Sequence, residues 1–171
     1  MSLSTEGILD WSHWGLSSAT GFNHKSGITQ QISNYSLIGS GGVLQYSNNP
    51  NSFSWTGGTP TASASGVTGG LWVAGQNNGF QITAPADTAT RTLKFYVGLW
   101  AAGGRLEASL SDGSAPVFTD TSLTNSSGTT NRVYTLNYKA ASAGQTLTVK
   151  WTVNATFNTY GNVTLQAATL F

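Results

Sequence analysis

The side chains best suited to chemistry in this sequence are aromatic and amide groups that fall together. Trp11-Ser12-His13-Trp14, Phe22-Asn23-His24-Lys25, Gln76-Asn77-Asn78 and Asn158-Thr159-Tyr160 set rings, amides, hydroxyls and imidazoles side by side in stretches that read as loops or loop margins. Trp55 and Trp100 are further Trp residues next to turn chemistry. A ring offers a flat apolar face, and nearby amides offer directional donors and acceptors. Sugar recognition needs that pairing, because the C–H face of a pyranose stacks while its hydroxyls take hydrogen bonds. Packing competes for the same residues: Trp fills sandwich cores well, and Trp72 and Trp151, which alternate with aliphatic neighbours, are expected in the core.

Hydrolytic chemistry has few parts to draw on. A glycosidase needs two carboxylates roughly 5–9.5 Å apart, and only Glu6, Asp10, Asp87, Glu107, Asp112 and Asp120 are present. Asp87, Asp112 and Asp120 lie in turn-like surroundings where Asp commonly hydrogen-bonds its own backbone. Glu107 beside Lys94 or Lys150 reads as a cross-strand ion pair. No Gly-x-Ser-x-Gly elbow accompanies His13 and His24, and no HxH or HExxH spacing makes them metal ligands. The chain has no cysteine, which removes disulfides, thiolate metal sites and a cysteine nucleophile. A structural calcium held by loop carbonyls and one or two Asp side chains remains open as a cofactor. The expectation is a protein that is not an enzyme; an enzyme built on Glu107 or Asp10 with a histidine is the weaker reading.

These groups must be positioned by strands. From Arg91 onward Leu93, Phe95, Val97 and Leu99 alternate with Thr92, Lys94, Tyr96, Gly98 and Trp100, the period of two of a strand with one buried face. Leu106, Ala108 and Leu110 alternate again, and Gly103-Gly104 between the two runs predicts a hairpin turn. Tyr134, Leu136 and Tyr138, and then Leu147, Val149, Trp151 and Val153, mark two further strands, and the chain closes on an apolar strand from Asn162. About ten strands, short turns and no apolar 3.6-residue period give an all-β chain. Irregular long loops favour a jelly-roll or Greek-key β-sandwich over a repeat architecture.

With 171 residues, 8% charged side chains and a net charge of +1, solubility rests on hydroxyls and amides. Scattered Lys and Arg argue against nucleic acid, and no apolar run approaches the ~20 residues of a membrane helix. Residues 1–5 read as an appended or linker lead and 6–171 as one domain. The composition points to a secreted, extracellular bacterial domain that in nature is fused to a larger polypeptide.

Three blocks carry a resemblance: Gly7-Ile8-Leu9-Asp10-Trp11-Ser12-His13-Trp14-Gly15, the run from Leu93 to Trp100 with Arg105 to Ser111, and the closing stretch from Gly161 to Leu170. They resemble the galactose-binding-like β-jelly-roll domains that accompany secreted bacterial glycoside hydrolases as carbohydrate-binding modules. The resemblance implies a non-catalytic module that binds a poly- or oligosaccharide, often with a structural calcium. It implies binding at the loop edge, with Trp11, His13, Trp14, Asn23, His24, Trp55 or Tyr160, or on the concave face, with Tyr96, Trp100, Arg105, Tyr134 and Tyr138. The alternative is a structural or adhesive module of a cell-surface protein that takes no small ligand.

Overall fold

A computed structural model describes residues 1–171. One helical turn, α1 (Leu3–Glu6), precedes β1 (Asp10–Trp14), β2 (Phe22–Lys25), β3 (Ser36–Ile38), β4 (Leu44–Tyr46) and β5 (Phe53–Thr56). Then follow β6 (Gly58–Thr59), β7 (Ser63–Val67), β8 (Gly70–Ala74), β9 (Gly79–Ala86) and β10 (Arg91–Leu110). The chain ends with β11 (Phe118–Asp120), β12 (Thr124–Tyr138), β13 (Gln145–Thr156) and β14 (Asn162–Leu170). All pairings between these strands are antiparallel. The result is the expected all-β jelly-roll sandwich. No helix is long and apolar enough to cross a membrane.

Strand β10 organises the molecule. Its first half, Arg91 to Trp100, lies between β12 and β14, and its second half, from Gly104, runs beside β13. One strand therefore serves both sheets. The first sheet is β12, β10 and β14, with β1 and then β2 beside one end of β14 and β8 and then β4 beside the other. The second is β11, β10, β13, β9 and β3.

The expected hairpin at Gly103-Gly104 is not there. The chain bends instead at Ala101, where φ is +45° and the register with β12 shifts, and continues into the second sheet. Gly104 answers a steric demand rather than a turn: a Cβ there would overlap the Trp151 indole, whose Nε1 donates to the Gly98 carbonyl at 3.1 Å. Trp151 fills the main core as expected, among Phe95, Leu99, Leu106, Val149 and Val153. Tyr134 and Tyr138 also face that core, and burial raises both phenols to about 12.

A second, smaller core lies on the other side of the first sheet. The β5–β7 hairpin and α1 fold over the Asp10 end of that face, enclosing Leu3, Trp11, Phe53, Trp55, Tyr96 and Ala167. Residues 1–5, expected as a lead, pack against this core: Leu3 is fully buried and the Met1 amino group donates to Ser52 O at 2.9 Å. Burial of side chains this large stabilises by about 1.5–3 kcal/mol each. Asp10 fixes the neighbouring loop, accepting from the backbone N–H of Trp11, Gln31 and Ile32 at 2.7–2.8 Å.

Candidate functional site

The half of that outer face which the hairpin leaves open is a cleft. Tyr46, Asn48, Asn49, Trp72, Trp100, Thr129, Asn162 and Thr164 line it, around a space of about 240 Å³. Strand register explains the grouping. Trp72 on β8, Thr164 on β14, Gly98 on β10 and Asn131 on β12 form one row across four strands. Asn162, Trp100 and Thr129 form the next. The two indoles therefore stand two strands and one row apart, a diagonal of about 12 Å, with Thr164 and Asn162 of β14 between them and Gly98 low beside Trp100. A Cβ on Gly98 would overlap the Asn131 amide and crowd the Thr164 hydroxyl.

The floor is an amide network. Asn49 Nδ2 donates to Asn131 Oδ1 at 3.1 Å, and Asn131 Nδ2 donates back to Asn49 Oδ1 at 2.9 Å. Asn49 also donates to the Tyr46 hydroxyl at 3.0 Å, and Gln166 Nε2 donates to Asn131 Oδ1 at 2.9 Å and to Thr164 Oγ1 at 3.2 Å. Gln166 reaches this position because a bulge in β14 opposite Tyr96 and Val97 gives it no cross-strand partner. Burial raises the Tyr46 phenol, with partial offset from Gln166, Thr164 and Asn49, so it stays a neutral donor and acceptor. Capacity for a ligand remains at Asn48, Thr129 and the Asn162 side-chain oxygen. Two rings and an uncharged polar floor can stack and hydrogen-bond a neutral sugar; the lining supplies no acid, base or nucleophile pair.

Of the expected site residues, Trp100 alone lines this cleft. Trp11, Trp55 and Tyr96 are buried in the second core and Trp14 in the main one, so none offers a face to a ligand. His13 is fully buried against Trp55, with ring centroids 5.0 Å apart. Asn23, 2% exposed, accepts from the Thr61 backbone at 3.1 Å. His24 stacks on Phe22 at 5.2 Å on β2, beyond β1. Arg105 follows the bend, sits on the second sheet and pairs with Glu107 at 2.7 Å. Tyr160 is exposed on the β13–β14 loop. Trp72, expected in the core, is the indole that faces Trp100 across the floor.

The carboxylates are occupied. Glu6 takes Lys94 Nζ at 2.9 Å and the Tyr96 hydroxyl at 2.7 Å; burial alone would raise its pKa, but these partners hold it below the usual value. Asp87 pairs with Arg91 and Asp120 with Arg132, while Asp112 accepts from Ser114 and the Ala141 backbone. No three acidic or histidine side chains converge.

No family model and no curated protein matches the sequence. Solved structures similar to it include the enzymatically active domain of bacteriophage CBA120 tailspike protein 4, at 11% identity over 81% of this chain and 20% of that one, TM-score 0.47. Another is the module TmCBM61 in complex with β-1,4-galactotriose, at 14% identity over 81% and 88%, TM-score 0.47. A third is the carbohydrate-binding module CBM36 in complex with calcium and xylotriose, at 12% identity over 81% and 100%, TM-score 0.41. The chain spans about a fifth of the tailspike chain.

Proposed function

We propose that this domain is a non-catalytic carbohydrate-binding module that holds a neutral polysaccharide in the cleft between Trp72 and Trp100. The observation that carries the reading is the pairing of two indoles with a floor that is wholly amide, hydroxyl and glycine. Sugar rings stack on the indoles, and the free capacity of Asn48, Thr129 and Asn162 takes the hydroxyls. A uronate or sulfate would find no cation in the lining. The module would serve a secreted bacterial polypeptide, bringing it to its glycan.

Calorimetric titration with soluble arabinoxylan, β-1,4-galactan, mixed-linkage β-glucan, galactomannan and polygalacturonate tests this. One neutral polymer should bind and the polyuronate should not. Trp72→Ala and Trp100→Ala should each weaken that binding about 30-fold, as removal of a central aromatic anchor costs about 2 kcal/mol. Absence of binding to every glycan would favour the structural or adhesive module.

A further inference from the structure

We propose, resting on that reading, that the site continues past the cleft onto Phe157 and Tyr160, which form an outer platform selecting long polysaccharide chains over short fragments. Both belong to the loop between β13 and β14, where Phe157 is 50% and Tyr160 67% exposed. Single exposed apolar residues need no explanation, but these two differ in how their loop is held. The Phe157 N–H donates to the carbonyl of Ala101, the residue after Trp100, at 2.9 Å. Asn162, whose side chain lines the cleft, donates through Nδ2 to the Tyr160 carbonyl at 2.8 Å. Asn158 closes the loop, its Oδ1 accepting from Tyr160 N at 2.9 Å and its carbonyl from Gly161 N. Gly161 lies so close that a Cβ would come 2.6 Å from the Ala101 carbonyl oxygen.

The loop is thus docked on the bend of β10 at the Trp100 end of the cleft. Ala101 itself has φ +45°, a left-handed conformation that is uncommon for a residue with a Cβ and tends to accompany functional sites. A tethered loop presents its rings with little ordering cost on binding. The chemistry also continues that of the cleft: residues 154–162 and the adjoining turn 75–79 contain no charge, and Gln76 bridges the two by donating to Asn154 O. A polymer leaving the cleft past Trp100 meets two more aromatic faces and several amides. A short oligosaccharide seated between Trp72 and Trp100 does not reach them.

The test uses the polymer from the panel above that binds best, together with short oligosaccharides cut from it. The Phe157→Ala/Tyr160→Ala double variant should lose about tenfold in polymer affinity and less than twofold in oligosaccharide affinity. Tyr160→Phe, which keeps the ring, should bind the polymer like the parent. Both sites are exposed, so an unchanged thermal midpoint is expected for each variant. Unchanged polymer affinity in the double variant, or equal losses for polymer and fragments, would overturn the platform and leave the cleft standing. Polymer binding that survives Trp72→Ala and Trp100→Ala would overturn the cleft reading and the extension with it.

Discussion

Asn131 joins two other amides of the cleft floor. Its amide is tied to Asn49 in both directions and to Gln166, so Asn131→Ala removes partners from two neighbouring amides at once. Leaving buried donors and acceptors unpaired costs about 1–3 kcal/mol, and we expect a loss of that size in urea-unfolding stability with a parallel drop in glycan affinity. Stability within 0.5 kcal/mol of the parent, the scatter of ordinary surface changes, would show that the amides do not act as one network. Part of this floor was legible in the sequence. Trp72 lies between Leu71 and Val73, both fully buried, and the period of two alone sends its indole to the opposite face; its aliphatic neighbours argue against a core position, not for one. Tyr46, Asn49 and Asn131 gave no such signal, since they meet only through pairing of distant strands.

At the scale of the element, the same alternation located most of β10 but not its continuity. Two apolar runs separated by Gly103-Gly104 look alike whether the chain reverses or carries on into a second sheet. What decides is the Trp151 indole, which occupies the space where a Gly104 side chain would be. The two glycines therefore differ in a measurable way. Gly104→Ala should destabilise by about 1–3 kcal/mol through overpacking, whereas a Cβ on Gly103 meets nothing closer than Thr124 Oγ1 at 3.6 Å, so Gly103→Ala should be close to neutral. Denaturant midpoints of the two variants measure this directly, and a larger loss at Gly103 would speak for a turn there. The β5–β7 hairpin shows the other limit of local reading. The stretch Phe53-Ser54-Trp55 alternates correctly, but nothing local says that it covers Trp11, His13 and Tyr96 on the outer face, and so the three looked available for a ligand.

For the whole molecule, this second core makes acid the condition under which the domain should weaken. His13 is fully buried, and desolvation lowers its pKa from 6.5 to about 4; the Gly69 backbone offsets this only in part, and neither ring nitrogen makes a hydrogen bond of good geometry. Between those two values the unfolded chain carries a proton on His13 that the native state excludes, so stability falls as pH falls. The loss begins near pH 6.5, is complete near pH 4 and amounts to about 3 kcal/mol in all. The depressed carboxylates Glu6, Asp87, Asp112 and Asp120, whose ordinary values are 4.5 and 3.8, lose their contribution only at lower pH. The interval from pH 6.5 to 4.5 therefore isolates the histidine. Urea unfolding across that interval should show a falling free energy in the parent and a nearly flat one in His13→Leu, which keeps an apolar group of similar reach against Phe53 and Trp55. A parent curve as flat as the variant would mean that His13 is protonated in the folded domain and that its burial does not govern acid stability. A matching slope in both would assign the acid sensitivity to other groups.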